Sequence, residues 1–299
     1  MNASVHLLEE TLPATVHLRV AVPERHPSAA VLGTERAGTG TLIDAGGLIL
    51  TVNYVVIGAS GITVTLFDGR ELAAEVVAQD YHSGIALLAM KGGGFPALPA
   101  RSAPEAAVGD DVFLLASVGE SARRASSGGI SSLAAFEANW EYTLDRAIYT
   151  TAMNPGLGGG PLVDTLGRVV GVVSLNLNEI GRFALAIPIE HYRDWRGELL
   201  QYGRRASRPS RAWLGIFSAM VRRHVVVAGV LPGAPAAEAG LAQGDVILEV
   251  DDVEVASRRD FYERLWAHRG GERIQLLVYR NTATLTLTVA SGDVEDFLA

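Results

Sequence analysis

Between residues 15 and about 189 the hydrophobic positions fall into short runs broken by glycine, among them GTGTLI at 38–43, ITVTL at 62–66 and RVVGVVSL at 168–175. Such runs, rich in β-branched residues and separated by turn residues at regular spacing, predict many short strands closing into a barrel or sandwich. The pattern changes after residue 189. Residues 190–202 predict a helix, and 204–211, RRASRPSR, read as a charged linker with a proline break. The predicted organisation is a β-rich domain over 1–200, a linker over 201–211, and a second domain beyond it.

At 299 residues with 48% hydrophobic content the chain can build two ordinary domains, each with its own core. A net charge of -8 argues against wrapping nucleic acid or coating an anionic membrane. Nearly all the positive charge is arginine, with Lys91 the only lysine, and there is no cysteine for a disulfide or a thiolate site. Seven scattered histidines include no helical i, i+4 pair, so no metal and no cofactor is expected. The first residues carry neither a basic region nor a long apolar run, so no leader and no membrane span is predicted. The expected compartment is cytoplasmic, or periplasmic or otherwise extracytoplasmic if a leader has been trimmed.

Three motifs carry candidate chemistry. Residues 154–163, NPGLGGGPLV, resemble the nucleophile loop N-P-G-N-S-G-G-P-L of trypsin-like HtrA/Deg serine proteases, whose serine aligns with Gly158. Residues 46–56, GGLILTVNYVV, resemble that family's segment ending L-T-N-N-H-V-V, which places the general-base histidine at Tyr54. Residues 80–88, DYHSGIALL, resemble its D-x-x-x-D-L-A-V-L, so the orienting aspartate falls on Gly84. The resemblance implies two six-stranded chymotrypsin-like barrels with the active cleft between them, and FALAIPI at 183–189 resembles the segment after the specificity-pocket strand. It also implies that the positions Tyr54, Gly84 and Gly158 are vacated, while Gly156, Leu157 and Gly158 keep a backbone remnant of the oxyanion hole. A tyrosine with an ordinary pKa of about 10 is a poor base at neutral pH, and a triad works as a unit.

The final part resembles an HtrA-type PDZ domain over 212–292, with 293–299 as a C-terminal tail. AWLGI at 212–216 resembles its carboxylate-binding loop, and GAPAAEAGLAQGDVIL at 233–248 its P-A-x-x-A-G-L-x-x-G-D-x-I-L signature. The resemblance implies a groove helix at 260–268 and closing strands at 274–280 and 284–289. A PDZ groove takes an extended peptide as an added strand and holds its terminal carboxylate on backbone amides. Trp213, Leu214, Gly215, Ile216, Phe261 and Leu265 are the candidate peptide-binding residues, with core or loop packing an equal reading for Trp213, Leu214, Phe261 and Leu265.

The fold expected is therefore mainly β, a chymotrypsin-like double β-barrel followed by an α+β PDZ domain. The leading functional expectation is a catalytically inactive protein, not an enzyme, that binds peptides or partner proteins through its PDZ domain and its vacant cleft. Its alternatives are a residual or unconventional serine-type endopeptidase and a regulatory subunit of an active paralogue. Expected partners are peptide or protein C-termini. The first forty residues contain no Phe, Trp or Tyr, which leaves a family-like trimer open. Three minor candidates are weighed against blander roles: His82 beside Gly84 as a surface residue, Ser126, Ser127 and Ser131 as a glycine-serine loop, and Gly158-Gly159-Gly160 as protease framework, since it lacks the lysine of a phosphate loop.

Overall fold

The short alternating runs form strands that close on themselves twice. The computed structural model describes residues 3–102, 104–177 and 181–298. The first barrel is built from β1 (Thr15–Ala21), β2 (Glu35–Leu42), β3 (Leu48–Val52), β4 (Gly61–Thr65), β5 (Glu71–Asp80) and β6 (Ile85–Met90), in the closed order β1-β2-β3-β6-β5-β4. The second uses β7 (Asp111–Ser117), β8 (Arg123–Glu137), β9 (Thr143–Thr150), β10 (Pro161–Asp164), β11 (Val169–Asn176) and β12 (Ala184–Pro188), in the order β10-β11-β12-β9-β8-β7. Val16, Leu18 and Val20 of β1 are buried, as are Ile49, Leu50, Leu87 and Leu88, while Arg19 and Ala21 face water. Gly40 interrupts β2 because a Cβ there would run into Ile49 and Val16, so the barrel closes tightly only over a bare backbone.

A second unit carries the sheet order β13-β14-β15-β17-β18, from β13 (Ile216–Val221), β14 (His224–Val230), β15 (Val246–Val250), β16 (Val253–Glu254), β17 (Arg273–Arg280) and β18 (Ala283–Ala290), with β16 paired to β15. Asp251 and Asp252 turn that pair with φ of 48° and 62°, the left-handed conformation a tight two-residue hairpin requires. The helix Arg258–Leu265 starts where the Ser257 side chain accepts the Asp260 N–H. It buries Phe261, Tyr262 and Leu265 against Leu276, Val278 and Val289 of the sheet. The cap moves the helix two residues earlier than the predicted 260–268.

Other boundaries differ from the sequence reading. The chain divides into Met1–Phe136 with Leu144–Ala206, and Glu137–Thr143 with Ser207–Ala299. Residues 137–143, predicted within the 1–200 domain, thus cluster with the second unit. The single helix expected over 190–202 is two, Glu190–Arg193 and Arg196–Tyr202, parted where Trp195 leaves helical geometry and the Arg205 guanidinium stacks 3.8 Å from its ring. Arg211 stacks likewise on Trp266 at 4.1 Å, so two arginines of the expected linker are pinned on tryptophans. The expected tail at 293–299 contains the helix Val294–Phe297, capped by Asp293 and packed through Phe297 on Trp213. Among the described residues no helix is long and apolar enough to cross a membrane, and no His/Asp/Glu group could hold a metal ion.

Leu88 has no exposure, and Leu88→Ala removes its contacts without a way for barrel strands to collapse inward. We expect a loss of about 2–5 kcal/mol in the denaturant unfolding of the first unit.

Candidate functional site

In the first unit the candidate loop leading into β10 is held by one side chain. Thr39, on β2 and fully buried, donates its N–H to Gly158 O (2.7 Å) and its hydroxyl to Leu157 O (2.7 Å). The same hydroxyl accepts the Ser117 N–H at 3.0 Å, and Thr51 donates to the Thr39 carbonyl at 2.7 Å. Beyond it Gly159, at φ 96°, donates to Val173 O at 2.7 Å, and Val173 returns an N–H to Gly160 O at 2.8 Å. Of the three oxyanion-hole candidates, Gly156 gives its N–H to Asn154 Oδ1 (3.1 Å) and Leu157 gives its own to Ser117 O (2.9 Å). Because Thr39 draws the Leu157 carbonyl to one side, the trans peptide turns the Gly158 N–H to the other, where it donates to none of the described residues. Sequence reading missed Thr39; its only signal was a threonine flanked by glycines in a strand run.

The three motif positions come together around this loop. Tyr54 follows β3 in the short helix Asn53–Val56 and donates its hydroxyl to Ser174 O at 2.8 Å. That hydroxyl fills the space a Cβ on Gly158 would need, so glycine at 158 and tyrosine at 54 are sterically complementary. Burial pushes the Tyr54 pKa up to about 12, so at neutral pH the side chain is a neutral donor and no base. Gly84, at φ 82°, accepts the Asn53 N–H at 2.8 Å and closes the turn by donating to Asp80 O at 2.8 Å. Buried Asp80 ties the rest of the turn by accepting the His82 N–H (3.0 Å) and the Ser83 hydroxyl (2.6 Å).

Two of the three serines weighed from sequence, Ser126 and Ser131, are occupied elsewhere. Ser126 donates to Met153 O at 2.5 Å and Ser131 to Tyr149 O at 3.0 Å. A Ser–His pair that sequence spacing could not reveal, His17 Nδ1 to Ser117 Oγ at 2.7 Å, lies behind the loop. Ser117 has no exposure, so no substrate carbonyl reaches its oxygen, and burial, with Arg123 adding to it, holds His17 below the usual imidazole range.

The second unit has a site of its own at residues 213–216. Gly215 is at φ 79°, and a Cβ there would collide with Ala234 and the Trp213 ring, so only glycine lets the loop tighten. Three successive N–H groups, of Leu214, Gly215 and Ile216, converge on the Glu141 carboxylate: Leu214 to Oε2 at 2.9 Å, Gly215 and Ile216 to Oε1 at 2.8 Å each. Ser218 donates its N–H to Asn139 O at 2.7 Å. Tyr262 donates its hydroxyl to Ala138 O at 2.8 Å and accepts the Glu141 N–H at 2.9 Å. Arg258 donates to the Ser218 hydroxyl and carbonyl, both at 3.1 Å. Burial pushes the Glu141 carboxyl up to about 7, opposed by the three amides, which favour its ionised form.

Of the six residues proposed from sequence, then, Leu214, Gly215 and Ile216 give their amides to the Glu141 carboxylate. Trp213 packs on Phe297 with ring centroids 4.8 Å apart, and Phe261 and Leu265 are enclosed in the core without exposure, which places all three in packing. Glu141, Ser218, Arg258 and Tyr262 were missed, since nothing in the sequence links residue 141 to a loop more than seventy positions away.

Comparison with known proteins matches residues 38–172 to the trypsin-like peptidase domain and residues 212–290 to the PDZ domain. The chain is 32% identical over 280 residues to a probable periplasmic serine endoprotease, DegP-like, of Halomonas elongata, covering 87% of this chain and 57% of that protein. It is 31% identical over 275 residues to the protein of that name from Pseudomonas putida, covering 87% and 56%. The chain thus spans little more than half the length of these relatives. Among solved structures, HtrA-type protease AlgW with a decapeptide is similar at TM-score 0.57 and 26% identity, covering 98% of this chain and 99% of that one. A serine endoprotease from Yersinia pestis, at TM-score 0.58 and 24% identity over 98% of both chains, shares the fold. These names overturn the expectation that the chain is not an enzyme: the relatives it matches are named as serine endoproteases.

Two outcomes follow from the geometry. Thr39→Val keeps the shape but leaves the Leu157 carbonyl and the Ser117 N–H without their partner, so the first unit should lose about 1–3 kcal/mol in denaturant unfolding. Glu141 is protonated more tightly in the folded unit than in the unfolded chain, so the unfolded state sheds its proton first and stability falls as pH rises from about 4.5 to about 7. The facing Tyr262, pushed by burial up to about 12, does not titrate there. Melting temperature followed across that window should decline, and Glu141→Gln should flatten the decline.

Proposed function

The chain belongs to the HtrA/DegP family, a trypsin-like serine protease domain followed by a PDZ domain, and we propose that it is an unconventional endopeptidase of that class whose PDZ groove recognises peptides by a carboxylate. The observation that carries the endopeptidase reading is the Gly158 amide, held in place by Thr39 and free of any acceptor among the described residues. A fixed N–H in a sheltered site polarises a scissile carbonyl and stabilises the oxyanion that forms on it, at no reorganisation cost.

Gly158 has no side chain to attack, and Tyr54 is a neutral donor, so the nucleophile in this reading is water and the step is slow. Loss of a full triad costs roughly a million-fold in kcat, while oxyanion stabilisation and binding still leave about 10³–10⁴ over water. The names of the relatives support an extracytoplasmic, periplasmic setting, and the decapeptide with AlgW supports peptides as ligands. Support for carboxylate recognition comes from the three amides of residues 214–216, which already bind one.

The test is cleavage of unfolded casein by the full chain, followed by mass spectrometry over days. Endoproteolytic products should accumulate slowly, and Thr39→Val should lower the rate about ten-fold or more by loosening the loop. Gly158→Ser alone should not raise it, because the new side chain meets the Tyr54 hydroxyl and finds no base. No cleavage above a protein-free blank, or cleavage indifferent to Thr39→Val, would overturn the reading.

A further inference from the structure

Resting on the peptide-recognition reading above, we infer that Glu141 is a built-in ligand of the PDZ unit, occupying its carboxylate loop in competition with the α-carboxylate of an incoming peptide. The segment 139–141 reproduces two features of strand addition at once. Its carboxylate sits on the amides of Leu214, Gly215 and Ile216, and its Asn139 carbonyl accepts the N–H of Ser218, two residues into β13. An extended peptide with a free C-terminus makes these same two kinds of contact. Each N–H has one hydrogen to donate, so a peptide and Glu141 cannot both be bound.

The occupant is well fitted yet replaceable. Glu141 is buried with φ at 56°, a conformation side chains other than glycine, asparagine and aspartate rarely adopt. Among the described residues its carboxylate accepts three amides and no cation, since Arg258 is directed at Ser218. A peptide α-carboxylate offers the same oxygens without the backbone constraint. Tyr262 sits at the junction, donating to Ala138 O and accepting the Glu141 N–H, so its hydroxyl registers whether the segment is seated. Because the segment belongs to the same chain, its effective concentration is about millimolar, and a peptide pays that competition in its apparent affinity.

The experiment measures binding of a library of free-acid decapeptides to the full chain, each hit repeated as its C-terminal amide, for the native protein, Glu141→Ala and Glu141→Gln. Glutamine keeps the size but sets an NH₂ group among donor amides, so it should release the loop in a folded protein. Amide NMR shifts of Leu214, Gly215 and Ile216 are recorded without peptide for all three. We expect both variants to bind free-acid peptides about ten-fold or more tightly than the native chain, to discriminate against the amides, and to shift those three signals. Equal affinity of native and variant proteins would overturn the inference while leaving peptide recognition intact. If no protein binds any peptide, peptide recognition fails; the three signals then decide the inference, movement upholding Glu141 as the occupant and unchanged positions overturning it.

Discussion

Thr39 is the constraint on which the first unit's site depends. One residue of β2 supplies an N–H and a hydroxyl donor to the loop before β10, and the same hydroxyl accepts from the end of β7. Each bond is worth about a kilocalorie net, but Thr39, Thr51 and Ser117 are fully buried, and a buried orphan costs more than the bond gains. Backbone in the second barrel is therefore registered to a strand of the first. The left-handed turn at Gly159 and the Gly158 amide, without an acceptor among the described residues, go with that registration.

Within this frame the residues at 54 and 158 are one packing solution. The Tyr54 hydroxyl takes the volume that a side chain at 158 would fill, and it stays there through a bond to Ser174 O. Its burial keeps it protonated and its one hydrogen is given to Ser174 O, so Tyr54 offers no base to a nucleophile. Chemistry at this place rests on carbonyl polarisation. Changing either residue alone leaves the other mismatched.

The second unit poses the opposite electrostatic problem. Three aligned amides make a small anion site, and the unit fills it with its own carboxylate, whose desolvation is offset by hydrogen bonds without a counter-charge. A site balanced in this way is held by geometry, and it is sensitive to anything that competes for the same donors.

Local chemistry was legible in the sequence. Glycine at 215 and 159, the strand runs, and the residues standing at the three motif positions all act over a few neighbouring positions, where φ preferences and side-chain alternation suffice to read them. Less local features were not. The helix expected over 190–202 breaks at Trp195, which carries the Arg205 guanidinium, and the expected tail folds because Phe297 finds Trp213. Thr39, the His17–Ser117 pair and Glu141 join residues from 73 to 118 positions apart in the chain, and no periodicity encodes such meetings. By itself the sequence determined the two frameworks and the residue types at their sites. Only the tertiary structure decided which donors face which acceptors, because direction and burial are properties of neighbours that the chain order does not contain.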